Sequence, residues 1–248
     1  STRSVLVENS FLISPGQLMS GSITWDTLLL RNNVLVTQSE VLGLTLDEPG
    51  LQLAPTVVMT HCTCSATSSV FDFREDGELS NASAPLTVYV RDCLLTGPSD
   101  GSEPAATVIA RDQEETTESH ILWWGRGNGF APSLADYVQT ASQREQGSSL
   151  EDQWTDLWGA GHELDAMTAA TDILFASSFP EWSELEATSF KLSDAGRAAE
   201  AGAGAVLDQI GSLDSFIKPM PTPSRTVPTS ATTTPPKQPK PKRRSPGF

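Results

Sequence analysis

This sequence is poor in the residues that carry out covalent chemistry. Its 248 residues hold three histidines, three cysteines and two tyrosines. His61, His120 and His162 stand far apart, and no G-x-S-x-G elbow is present, so nothing nominates a nucleophile with its base. Three cysteines with one close pair, Cys62 and Cys64, make a poor disulfide framework and favour a reduced interior. No window approaches the roughly 18 apolar residues that span a bilayer. The N-terminus lacks a basic-then-apolar leader, and Ser1 fits either loss of an initiator Met or cleavage of a precursor.

Basic residues are scarce except at one end. Residues 221–248 hold Arg225, Lys237, Lys240, Lys242, Arg243 and Arg244 with no acid, a charge of +6. The remaining 220 residues carry 31 acids against 10 bases, or −21, within a net −15. An acidic body is soluble. Acid pairs such as Asp152/Asp156 and Glu184/Glu186 therefore read as solvated faces, and any nucleic-acid role is confined to the tail. The expectation is a chain that is not an enzyme and takes no cofactor or metal.

What is present is a long series of short β signals. Residues 4–13, 21–28, 34–36, 41–46, 56–59, 70–73, 86–90, 107–110 and 120–124 alternate apolar with polar or are rich in β-branched and aromatic residues. Ser14-Pro-Gly16, Asp47-Glu-Pro-Gly50 and Arg74-Glu-Asp-Gly77 punctuate them as turns. Many short strands at close spacing predict an antiparallel sandwich or barrel over 1–125, and no repeat at a fixed period is apparent. Gly125-x-Gly-x-Gly129 reads as a turn out of that domain, since its spacing is not that of a phosphate loop.

Beyond it the period changes. Ser133-Leu-Ala-Asp136 and Ser149-Leu-Glu-Asp152 look like capped helix starts, and Trp154, Leu157, Trp158, Gly161 and Leu164 form a stripe at helical spacing. Residues 172–179, 184–192 and 195–210 extend the helical reading, interrupted at Pro180. The predicted fold class is α+β: an antiparallel β domain (1–125), a helical region (130–217) and a disordered Pro/Thr-rich basic tail (218–248).

His61-Cys62-x-Cys64 contains residue types that suit zinc. However, a zinc site needs a fourth ligand, and Cys93, His120 and His162 are the only other thiol or imidazole candidates, all distant in sequence, so these read as buried structural cysteines. Asn81-Ala-Ser83 matches a glycosylation sequon, which matters only in a secreted chain. The tail from Pro235 to Arg244 cannot bury a core. It can hold phosphates through Lys237, Lys240, Lys242, Arg243 and Arg244, or serve as a nuclear import signal.

Just upstream, Ile210-x-x-Leu213-x-x-Phe216-Ile217-Lys218-Pro219 resembles the clamp-binding peptides of replication and repair proteins. Ile210 stands where a glutamine is usual, and Ile217 where a second aromatic is usual. The resemblance implies partner-binding residues at Ile210, Leu213, Phe216 and Ile217. Gly21-Ser-Ile-Thr-Trp-Asp and the stretch from Ala84 to Gly97 resemble strands of picornavirus-like jelly-roll coat proteins, in which a basic arm faces packaged RNA. The leading expectation is an accessory subunit in a protein complex, nuclear, acting on or near DNA or RNA in replication or repair. Its alternative is a capsid-associated protein of a virion. The two differ in assembly, since a coat protein builds closed shells. Neither expectation involves a membrane.

Overall fold

In the computed structural model of the protein the described residues are 2–77, 79, 84–97, 106–111, 120–131, 134–140, 150–168, 175, 182–192 and 203–210. Ser1–Leu213 forms one compact unit, and Asp214–Phe248, the second, lies outside the described residues.

The chain winds in successive rungs. The first is β1 (Ser4–Glu8), β2 (Phe11–Ser14) and β3 (Met19–Ser22). The second is β4 (Thr27–Arg31), β5 (Val34–Thr37) and β6 (Glu40–Leu46), followed by a single turn, α1 (Glu48–Leu51). The third is β7 (Thr56–Thr60), β8 (Thr63–Ala66) and β9 (Ser69–Glu75), and the fourth is β10 (Leu86–Arg91), β11 (Leu94–Thr96) and β12 (Ala106–Arg111). The fifth is β13 (Ile121–Arg126), β14 (Gly129–Phe130) and β15 (Leu134–Thr140). Helix α2 (Leu150–Trp158) then leads to a short last rung of β16 (Glu163–Leu164) and β17 (Met167–Thr168). Corresponding strands stack into three parallel sheets: β1-β4-β7-β10-β13-β16, β2-β5-β8-β11-β14-β17 and β3-β6-β9-β12-β15. The body is a three-sided parallel β-solenoid.

This overturns the antiparallel sandwich followed by a helical region. Strand positions were legible, but the joints between them were misread. Between the first and second sheets the chain turns on one residue with positive φ: Asn9, Asn32, His61, Asp92, Gly127 and Asp165, at φ between 49° and 65°. Such a joint bends the strand without reversing it. The chain therefore circles and returns beside itself in the same direction, whereas a hairpin would fold it back. The jelly-roll resemblance, which requires antiparallel sheets, loses its basis. A repeat does exist, but the intervals between those joints are 23, 29, 31, 35 and 38 residues, so it has no fixed period. The extra residues enter between the third sheet and the next rung and, in the fourth rung, also between Thr96 and Ala106, where length can be added without disturbing the stack.

The Gly125–Gly129 segment is one of these joints, and the solenoid runs through it. Residues 134–140, read as a capped helix, are strand β15, because the edge of β12 offers a backbone ladder that outweighs local propensity. The second capped start did yield a helix, α2. The later helical stretches contain 3-10 turns at Trp182–Glu184, Ala187–Phe190 and Leu207–Gln209.

The interior is built of columns. Leu28, Val57, Val88 and Trp123 align through the first sheet, Leu35, Cys64, Leu95 and Phe130 through the second, and Leu42, Phe71 and Ile109 through the third. All are buried in one cluster. Helix α2 closes the far end. Trp154 packs edge-on against Trp123 at 5.4 Å and against Phe130 at 6.0 Å. Trp158 donates from Nε1 to the Ile121 carbonyl at 2.8 Å. A second apolar cluster lies outside the second sheet. There Val34, Val36 and Leu94 meet Phe175, Phe190 and Ala203 of the returning chain.

Candidate interaction face

The joint between the first and second sheets is built the same way in each rung. The residue after the positive-φ position points inward: Ser10, Asn33, Cys62, Cys93 and Asn128. Asn33 accepts from the Ser10 amide at 2.9 Å and donates to the Val7 carbonyl at 2.9 Å. Asn128 does the same one rung above Cys93, accepting from its amide at 3.0 Å and donating to the Val90 carbonyl at 2.9 Å. Each asparagine thus satisfies two backbone groups that the bend takes out of the ladder. In the two middle rungs a cysteine takes that slot. The Cys62 amide faces the Cys93 sulfur at 3.4 Å. Burial pushes the Cys93 and Cys64 thiols well above their ordinary values. At Cys62 burial acts in the same sense but is outweighed by hydrogen bonds from Cys93 and Asn33, leaving that thiol lowered.

The positive-φ residues point outward in a polar column beside the last residues of the first-sheet strands. Arg31 is paired with Glu8. Arg91 Nε donates to Asp92 at 3.0 Å, Arg126 Nε to Asp165 at 3.3 Å, and His61 Nε2 lies 3.9 Å from Asp92. At Gly127 the φ of +65° is that of the other joints, but a Cβ there would meet the Asp92 carboxylate at 2.6 Å, so glycine leaves Asp92 its place.

Next to this charged strip runs an apolar column on the outer face of the first sheet: Leu6, Leu29, Val58, Tyr89 and Trp124, each in register with the next. Its end is open, with Tyr89 at 37% and Trp124 at 40% exposure. Trp124 is held flat against His162, ring to ring at 4.2 Å. His162 is fixed in turn by Nδ1, 2.6 Å from the Trp123 carbonyl. A carbonyl only accepts, so Nδ1 carries the proton. On the other side Thr27, Thr56, Thr87 and Leu122 form a half-buried margin. The face offers flat aromatic surface with donors and acceptors along one rim.

Among the described residues one carboxyl is also displaced from its usual range. The Glu163 carboxylate reaches inward from β16, accepting from Trp123 Nε1 at 2.8 Å and Asn128 Nδ2 at 2.9 Å. Burial pushes it up to about 7 against those two hydrogen bonds. Gly125 makes room for it, since a Cβ there would fall 1.5 Å from its oxygen.

The returning chain straps the opposite flank of the joint. Gly204 donates to the Asp92 carbonyl at 2.8 Å and Ala205 to Thr63 Oγ1 at 3.0 Å. Val206 donates to Asn32 Oδ1 at 2.6 Å and accepts from its Nδ2 at 3.3 Å. Ile210 follows directly, half-buried against the outer cluster. Of the residues expected to bind a partner, Ile210 alone is described, and it lies on the body. Leu213, Phe216 and Ile217 lie outside the described residues, as do Lys237, Lys240, Lys242, Arg243, Arg244 and the sequon at Asn81. His61 faces outward while Cys62 and Cys64 are buried, and among the described residues no three His, Cys, Asp or Glu side chains converge as a ligand set. Among the described residues no helix is long and apolar enough to cross a membrane.

Sequence reasoning missed Tyr89, Trp124 and the charged rim. The available signal was the recurrence of an apolar-x-apolar-charged-turn pattern: Val5-x-Val7-Glu8-Asn9, Leu28-x-Leu30-Arg31-Asn32, Val88-x-Val90-Arg91-Asp92 and Trp123-x-Gly125-Arg126-Gly127. No family model, no curated protein and no solved structure matches this chain.

Proposed function

We propose that this chain is a non-enzymatic interaction protein working on or near nucleic acid. Its solenoid body docks to a protein partner through the outer face of the first sheet, and its basic tail holds phosphate and serves as a nuclear import signal. The observation that carries the docking role is the exposed Tyr89–Trp124 pair rimmed by Arg91 and Arg126. Tyrosine, tryptophan and arginine are the residue types that dominate binding energy at protein interfaces. A rigid, flat support pre-orders them and lowers the entropic cost of association. Ile210 already packs on the body, which takes the first anchor away from a free clamp-binding peptide, so the docking role falls to the sheet face. The tail's six cations and absence of acid support phosphate contact, while the −21 charge of the body opposes it there.

The test compares the full chain with one ending at Leu213 for binding to labelled single-stranded RNA and DNA. Six phosphate contacts give a log–log salt slope of about −4 on a single strand, or a loss of about 300-fold between 50 and 200 mM salt. The expected result is salt-sensitive binding by the full chain and none by the shorter one. Equal binding by both chains, or by neither, refutes the role given to the tail.

A further inference from the structure

We infer that Cys62 and Cys93 are a redox pair, which peroxide closes to a disulfide between the third and fourth rungs once the returning chain lifts off the joint. The slot they share suits asparagine. Asn33 and Asn128 each bond an amide and a carbonyl of the preceding rung at 2.9 to 3.0 Å. Sulfur is a weak donor and a weak acceptor. In that slot the Cys93 sulfur stands 3.4 Å from the Cys62 amide, and the Cys62 sulfur 3.5 Å from the Leu30 carbonyl. Two successive rungs thus carry a side chain that serves the bend less well. What the two supply, and asparagine lacks, is a thiol facing a thiol.

Thr60 pairs with Arg91 and Thr63 with Leu94, so the joint residues between them stand in register. Neighbouring strands lie about 4.8 Å apart, inside the roughly 4.4–6.8 Å between Cα atoms that a disulfide spans. The two thiols already hydrogen-bond each other, Cys93 donating to Cys62. Burial opposes ionisation at both sulfurs. At Cys62 the bonds from Cys93 and Asn33 outweigh it and leave that thiol lowered, while Cys93 is held well above its ordinary value. Cys62 is therefore the attacking sulfur and Cys93 the resolving one. Cys64 lies 3.6 Å from the Met59 sulfur and stands outside the pair. All three cysteines are buried, so the oxidant has to be small. The cover over the joint is the strap of Gly204, Ala205 and Val206, bonded to Asp92, Thr63 and Asn32. A Cβ on Gly204 would lie 2.9 Å from Thr63 Oγ1 and 3.4 Å from Leu94 Cβ, so the strap runs over the residues that directly follow the two cysteines. In the reaction the Cys62 thiolate attacks one oxygen of hydrogen peroxide, giving a sulfenic acid and hydroxide, which takes up the proton that Cys62 released. The Cys93 thiol then attacks the sulfenic sulfur, the S–S bond forms and water leaves. Two thiols have lost two electrons and two protons, and one peroxide has become two waters.

The experiment treats the folded full chain with hydrogen peroxide, then unfolds it, blocks free thiols with N-ethylmaleimide and weighs it by mass spectrometry. The reduced chain has three thiols to block. After peroxide one is expected to remain, at the mass of a single chain less two hydrogens, and dithiothreitol is expected to restore all three. Cys64→Ala is expected to keep the bridge, and Cys62→Ala and Cys93→Ala to lose it. Where a variant fails to fold, fragmentation of the linked peptide from the parent chain locates the bond at Cys62 or at Cys64. Asn32→Ala, which frees the strap at Val206, is expected to speed closure at least about tenfold. A parent chain that keeps three free thiols overturns the pair. So does a single cysteine driven to sulfinic acid without a bridge, or a bridge that runs through Cys64. A rate of closure unchanged in Asn32→Ala overturns the strap as the way in.

Discussion

Replacing Glu163 with glutamine tests whether the far end of the solenoid holds a carboxyl that resists ionisation. In the unfolded chain this group titrates near 4.5, and in the folded protein burial raises it to about 7. Between those values the folded state keeps a proton that the unfolded state has released. Stability attributable to Glu163 therefore falls as pH rises through that window, and the penalty is fully present above it. At 1.36 kcal/mol per unit the whole shift is worth about 3 kcal/mol, of which about 2.5 kcal/mol appears between pH 5 and pH 8. Glutamine keeps the shape but has an NH2 where the carboxyl has a second oxygen, so at every pH it gives up one of the two bonds accepted from Trp123 and Asn128. That cost is constant, and the stability of the variant relative to the parent is expected to rise by about 2.5 kcal/mol from pH 5 to pH 8. In urea this is a midpoint difference of roughly 1 M for a slope of 2–3 kcal/mol/M. Other groups titrate in the same range but cancel in the difference between the two proteins. A difference that stays constant from pH 5 to pH 8 refutes the reasoning.

Three further outcomes follow from the joints. Asn128→Ala leaves the buried Cys93 amide and Val90 carbonyl without their partner, and is expected to cost about 2–4 kcal/mol in denaturant unfolding. Gly125→Ala puts a methyl 1.5 Å from the Glu163 carboxylate and 2.7 Å from Trp123 Nε1, so it is expected to destabilise by about 2–4 kcal/mol. The double variant with Glu163→Ala is expected to recover at least about 1 kcal/mol of that, measured as a double-mutant cycle. Asn32→Ala removes both side-chain bonds to the returning chain, and is expected to raise hydrogen exchange at the Val206 amide at least tenfold while leaving β10 amides protected.

The fold was half legible. Strand positions could be read because period-2 alternation is local: Leu28, Leu30, Val57, Met59, Val88 and Val90 show their inward faces without reference to any other rung. Direction could not be read, because it is decided by single residues between strands. Asn32-Asn33 and Asp92-Cys93 look like hairpin turns in sequence, since Asn and Asp tolerate positive φ in both settings. What distinguishes them is the inward second residue, whose bonds go to a rung about 30 residues away. The helical misreading of residues 134–140 has the same root. A strand at the end of a sheet takes its conformation from the neighbour's ladder, and its partners in β12 lie 28–29 residues earlier in the chain.

The candidate face was illegible for a further reason. Tyr89 and Trp124 lie 35 residues apart and become neighbours only through the register of β10 with β13. Each alone is an ordinary aromatic on a strand, with no motif to mark it. In a solenoid, side chains gather along columns that run perpendicular to the chain, so short contiguous motifs point instead to the tail, where basic residues cluster in sequence. The same geometry says what a substitution should do. An outward residue in one rung touches its counterparts above and below, so changes at Tyr89 and Trp124 should be non-additive in binding, whereas either should add simply to a change at Leu6, three rungs from Tyr89. A single exposed side chain acting by itself has no reason to give that pattern.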